Sequence, residues 1–191
     1  MTNIVLFGDD ILGGVYDQEV SDYFTNLVQQ ALPQTQVVNC SIPGHKTSNA
    51  LTHVKRDVVS LNADLVVLGF GVHDVSTIQE IKPGQFTRNL SALFETIGSS
   101  KIILLSPPFS DYQKQPQLSW PRQLQFTLAA EYTAQKYEIP FINLLFAMQD
   151  NAKPQKYLRD DGVNFNKQGY KLLLNLLLPA INQLFPQPAY N

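Results

Sequence analysis

The run Leu65-Val66-Val67-Leu68-Gly69 is apolar at every position rather than at every second one. A strand that shows one face to water alternates in polarity. A strand covered on both faces does not, and such strands belong to parallel sheets sandwiched between helices. Asn3-Ile4-Val5-Leu6-Phe7 has the same character and stops abruptly at Gly8-Asp9-Asp10, after which Ile11-Leu12-Gly13-Gly14 leads toward a helical pattern. Gln36 to Cys40, Lys101 to Leu105 and Phe141-Ile142-Asn143 complete a set of five strands.

Helical spacing fills the intervals. Phe24, Leu27, Val28 and Ala31 recur on one face before Pro33, and Leu51, Val54, Val58 and Leu61 mark a second helix. Pro83 suits a first turn, followed by the stripe Phe86, Leu90, Leu93, Phe94 and Ile97, which Gly98-Ser99-Ser100 ends. Ser119 is expected to cap a long helix with Pro121 in its first turn and Leu124, Leu128 and Tyr132 on one face. Asn166 is expected to cap a last helix with Tyr170, Leu173, Leu174, Leu177 and Ile181 turned inward. Ser106 to Leu118, bearing Pro107, Pro108 and Pro116, and Asp150 to Phe165 read as irregular; loops that long in a compact domain are usually functional. Strands alternating with helices predict parallel pairing with right-handed crossovers, hence an α/β fold with a three-layer α/β/α sandwich around a five-stranded parallel sheet. No repeat, linker or low-complexity tract divides the chain, so residues 1–191 are expected to form a single domain.

Composition excludes several functions. A formal net charge of −2 gives no footprint for nucleic acid or a membrane surface. The most apolar stretch, Leu172 to Ile181, is too short to span a bilayer. The start lacks a basic segment followed by a long apolar one, so a cytoplasmic protein is expected. With 3 histidines and 1 cysteine the chain predicts no metal site, no disulfide and no cofactor. Cys40 is expected to be a small buried hydrophobe, and His45 and His53 solvated surface. Oligomeric state is left open.

The unusual residues gather where open α/β sheets hold ligands, at the carboxyl ends of strands. They are Gly8-Asp9-Asp10, Pro43-Gly44-His45, Gly69-Phe70-Gly71-Val72-His73-Asp74, and Asp160-Asp161-Gly162-Val163-Asn164 before the last helix. In this order they make the chain resemble the SGNH hydrolases, also called the GDSL lipase/acylhydrolase family, over nearly its whole length. The resemblance implies a flavodoxin-like sandwich that hydrolyses carboxylic esters. In that family a Gly-Asp-Ser turn supplies the nucleophile and Asp-x-x-His the base with its orienting aspartate. The serine N–H, a glycine N–H after strand two and the asparagine of Gly-x-Asn-Asp form the oxyanion hole.

Carried across, Gly8, Asp9, Gly44, Gly71, Asp74, Asp161 and Gly162 match. Asp10 stands in the serine position, His73 in that of the oxyanion asparagine and Asn164 in that of the base histidine. Asn164 cannot take a proton at neutral pH, and Asp10, with a reference pKa of about 3.9, is a fixed anion beside the oxyanion site. At an effective dielectric of ~20, two charges ~4 Å apart repel by about 4 kcal/mol, roughly three decades in rate. Serine-type hydrolysis is therefore expected to be absent or nearly so, leaving a pseudoenzyme that binds a small ligand or ester in the old cleft. Asp10 and His73 are expected to form an ion pair across that cleft. The competing expectation is a non-serine hydrolase with Asp10 as nucleophile and His73 as base, or with Asp10 and Asp161 as a carboxylate pair. Phe70, Tyr112, Lys114 and Trp120 are candidates to line the cleft.

Overall fold

The computed structural model describes residues 2–16, 19–150 and 153–185. In chain order the elements are β1 (Thr2–Gly8), α1 (Asp10–Gly13), β2 (Val15–Tyr16), β3 (Glu19–Val20), α2 (Tyr23–Ala31), β4 (Thr35–Asn39) and α3 (Thr47–Asp57). Then come β5 (Leu65–Gly69), α4 (Val72–Val75), α5 (Pro83–Ile97), β6 (Ile102–Leu105), α6 (Trp120–Lys136), β7 (Phe141–Ile142), α7 (Leu144–Gln149) and α8 (Lys167–Leu184). The main sheet has five strands in the order β4-β1-β5-β6-β7, every pair parallel. Flanked by β4 and β5, β1 pairs Ile4 with Val37 on one side and with Leu65 on the other.

Successive residues of a strand point to opposite faces, so each strand feeds two cores. Ile4, Leu6, Leu65, Val67, Ile103 and Leu105 pack under α2, α7 and α8, against Phe24, Val28, Met148, Leu173 and Leu177. Val5, Phe7, Val66, Leu68, Ile102 and Leu104 pack under α3, α5 and α6, against Val54, Phe86, Leu90, Phe94 and Phe126. That division accounts for the unbroken apolar strands and gives the three-layer α/β/α sandwich. At the switch between β1 and β5 the backbones come so close that a Cβ on Gly8 would sit 2.1 Å from the Gly69 carbonyl oxygen.

Pro83 begins α5, and the Asn166 side chain caps α8 by accepting from the N–H groups of Gln168 and Gly169. Other expectations need correction. Leu128 and Tyr132 of α6 are exposed by 49% and 70%, while Leu124 is partly buried against the α8-side core. The helix instead buries Gln123, Phe126, Thr127, Ala130, Thr133 and Ala134, and meets α5 through Phe126 against Phe86. Ser119 precedes α6 without a side-chain capping bond. The antiparallel pair β2–β3 and helix α7 had no counterpart in the sequence pattern. Within the stretch after α7, a 3₁₀ turn (Pro154–Tyr157) and a Leu158–Phe165 bridge add local order. Leu174 is only partly buried, and Cys40, just past β4, is half-buried. Among the described residues no helix is long and apolar enough to cross a membrane.

Candidate active site

Asp9 caps α1, its carboxylate accepting from the Ile11 N–H at 3.2 Å. Its other oxygen accepts from the N–H groups of Gly71 and Val72, each at 3.0 Å, which ties the end of β1 to the start of α4. Burial, with the charge of Asp10 adding to it, pushes the Asp9 carboxyl up to about 7. Gly71 has φ 140°, and a Cβ there would meet Pro107 at 2.4 Å, so only glycine fits the turn that delivers His73.

Asp10 is the first residue of α1, and its Oδ2 takes two donors. One is the Gly44 N–H at 2.9 Å; the other is Nε2 of His73, in a short ion-paired contact. The two side chains are 15% and 33% exposed. Burial alone would raise the Asp10 carboxyl, but the His73 bond and charge and the Gly44 N–H outweigh it and hold the group below its ordinary value. Burial likewise favours a neutral His73, yet Asp10 above all, with Asp9 and Asp74, holds the imidazole above its ordinary value. Both shifts favour the charged forms, a carboxylate facing an imidazolium.

Asp74, fully buried behind this pair, accepts from the Thr47 N–H and hydroxyl, and burial pushes it up to about 6. The Asn89 amide donates to the Thr47 hydroxyl at 2.9 Å, anchoring α3 to α5. Asp161 and Asn164 form a closed unit of their own. Asp161 Oδ1 accepts from the N–H groups of Val163 and Asn164 at 2.8 Å, and Oδ2 from the Asn164 side-chain amide at 2.9 Å. Among the described residues no hydrogen bond joins Asp161 or Asn164 to Asp10 or His73. The structure therefore brings Asp10, Gly44 and His73 together and keeps Asp161 and Asn164 as a separate turn.

Beside His73 lies a cleft of about 320 Å³, between the segment Ser76–Gln79 on one side and Gln115–Leu118 and Val163 on the other. None of the cleft candidates named from sequence lines it. Phe70 is in the core, edge-on to Phe7. Trp120 packs against the α8-side core, Tyr112 is exposed, and the Lys114 ammonium donates to the Asp160 carbonyl. Of the residues that do line the cleft, Lys46, Ser76, Ile78 and Gln79 follow the glycine turns and Gln115 and Gln117 lie in the irregular Ser106–Leu118 stretch, with no spacing signal of their own.

His53 is buried, 8% exposed, rather than solvated. It stands edge-on to Phe7, with Nε2 3.1 Å from Nδ1 of half-buried His45 and Nδ1 2.8 Å from Asp57. Among the described residues no cluster of histidine, cysteine and carboxylate side chains is arranged to hold a metal ion.

Comparisons with known proteins agree with this architecture. The chain is similar to the lipase/acylhydrolase from Enterococcus faecalis, at 32% identity over 99% of this chain and 100% of that one, with a TM-score of 0.94. It shares the fold of LAE5, an alpha/beta hydrolase enzyme from the metagenome of Lake Arreo, at 18% identity over 96% of each chain and a TM-score of 0.77. It also shares that of Axe2, an acetylxylan esterase from Geobacillus stearothermophilus, at 19% identity over 94% of each chain and a TM-score of 0.75. No curated protein sequence matches it. The model of the GDSL-like lipase/acylhydrolase family matches residues 6–172, and the chain belongs to that family.

Proposed function

We propose that this chain is a ligand-binding member of its family in which serine-type ester hydrolysis is absent or very low, the cleft beside His73 being the binding site. One observation carries this: Oδ2 of Asp10 takes both the Gly44 N–H and the His73 ring. By family resemblance Gly44 and the residue at position 73 are the donors that would meet an ester's developing oxyanion. Here both already serve the protein's own carboxylate. An incoming oxyanion would have to displace a bound anion or sit beside it, which reverses the electrostatic stabilisation such a site supplies. Asn164, spent on Asp161, offers no basic nitrogen.

The competing use of Asp10 as nucleophile and His73 as base finds less support. A carboxylate oxygen held by two donors is a poor nucleophile, and a His73 ring engaged by Asp10, which favours its protonated form, is a poor proton acceptor.

The test is turnover of short-chain p-nitrophenyl esters by the purified protein, by Asp10→Ala, and by the triple variant Asp10→Ser/His73→Asn/Asn164→His. The unmodified protein and Asp10→Ala are expected to be silent, with the triple variant gaining at least about a hundredfold over them. Turnover by the unmodified protein that Asp10→Ala abolishes would sink the proposal.

A further inference from the structure

Two basic side chains and no acidic one line the cleft beside His73. Lys46, half-buried at the start of α3, donates from Nζ to the carbonyls of Ile78, at 3.1 Å, and Gln79. An ammonium carries three N–H groups, so one is left over. No carboxylate lies within ion-pair distance of Lys46 among the described residues. The buried carboxylate that feels its charge, Asp74, is closed off by Thr47. Nδ1 of His73, the ring nitrogen that does not contact Asp10, meets no protein partner among the described residues.

The other walls are rigid and partly apolar. The segment carrying Ser76 to Gln79 is pinned from behind by Arg122, which donates to the carbonyls of Val75, at 2.6 Å, and Ile81, at 3.2 Å, and to the Glu80 carboxylate at 2.8 Å. Opposite, the Gln117 amide donates to Gln115, which donates to the Asp161 carbonyl at 2.9 Å. Val72, Ile78, Leu118 and Val163 add hydrocarbon, and Ile78 is 64% exposed at the rim. A cleft of about 320 Å³ is at the low end for small-ligand sites.

We propose that this cleft binds a short-chain monocarboxylate as the free anion, its carboxylate met by the Lys46 ammonium beside the His73 ring and its tail lying on Ile78, Leu118 and Val163. This rests on the ligand-binding reading above and adds the charge and polarity of the ligand. Charge favours an anion because the lining carries Lys46 and His73 and no carboxylate side chain, Asp74 being buried against Thr47. The hydrocarbon wall selects an organic anion over an inorganic one, and the absence of an arginine fork from the lining disfavours phosphate.

The experiment is a calorimetric or NMR titration with sodium butyrate, butyramide and sodium phosphate at constant ionic strength, on the unmodified protein, Lys46→Gln and Lys46→Arg. Butyrate is expected to saturate and to bind about tenfold or more tighter than butyramide or phosphate. Lys46→Gln is expected to weaken butyrate about tenfold and leave butyramide unchanged, whereas Lys46→Arg keeps butyrate within about threefold. Because Lys46 also pins the Ile78 segment, the butyramide arm separates loss of charge from loss of shape. Equal binding of butyrate and butyramide, phosphate binding as tightly as butyrate, indifference to Lys46→Gln, or no saturation overturns the proposal. If butyrate fails and the protein stays silent on esters, only the ligand class falls. Ester turnover that depends on Asp10 removes the reading beneath it.

Discussion

The described residues hold two histidine–aspartate pairs, and only one faces the cleft. Asp10 and His73, 63 positions apart, are brought together by the ends of β1 and β5. His53 and Asp57 are one turn apart on α3 and lean on Phe7 and His45. The first pair depends on tertiary structure at every step: the tight Gly8–Gly69 approach, the Gly71 turn and the Gly44 N–H. The second depends mainly on helical spacing and a hydrophobic seat. Paired imidazole and carboxylate are thus not by themselves a site. Delivery from separate elements, with backbone donors aimed at the carboxylate and open volume beside the ring, is what makes the first pair one.

The comparison breaks most severely at Gly71. Gly71→Ala forces a Cβ against Pro107 at φ 140° and is expected to cost about 3 kcal/mol or more. By NMR the His73 ring should then titrate closer to its ordinary value, while the His45–His53 contact persists. An unaltered His73 titration would mean that the turn does not deliver the pair. His53→Ala is expected to cost about 2 to 3 kcal/mol, a cavity against Phe7, and to leave butyrate binding intact. Loss of binding without loss of stability would instead join the two pairs into one site.

The smallest effect is His73→Asn, about 1 to 2 kcal/mol, since the pair is partly open to solvent. Its pH dependence carries the information. The raised His73 pKa contributes stability fully below the unfolded value of about 6.5, and the contribution fades as pH rises through the folded one. The lowered Asp10 pKa contributes above its unfolded value of about 3.9 and fades as pH falls through the folded one. The gap in unfolding free energy between the unmodified protein and His73→Asn should therefore be widest between about pH 4 and 6.5 and narrow on both sides. A gap that is flat with pH would show that the two groups are not an ion pair.

Much of the fold was legible because apolar runs and helical stripes report burial directly. Leu65–Gly69 reads as a doubly covered strand, and it is one. The face of α6 was misread because two stripes compete on it: Leu124, Leu128 and Tyr132 make one, and the core takes the other, Phe126, Ala130 and Ala134. Spacing from Phe126 through Ala130 to Ala134 carried that signal in quieter residues. Glycine turns located Asp10, Gly44 and His73, whereas the cleft wall came from Ser76–Gln79 and Gln115–Leu118, irregular chain whose path depends on side-chain clamps such as Arg122. His53 was misplaced for a related reason. A polar residue on a helix looks solvated until its seat on Phe7 is known.

The place of β1 between β4 and β5 bears on how the protein is made. The strand emerges before either neighbour, and its second partner begins only at Leu65. Until then Ile4, Val5, Leu6 and Phe7, all fully buried in the finished molecule, can pair on one edge only, with β4, and α5 to α8, which complete the cover of both faces, are still to come. A nascent apolar strand in that condition is an aggregation hazard and a natural client for chaperones. Refolding yield should accordingly fall as protein concentration rises, even though the finished sheet hides that strand completely.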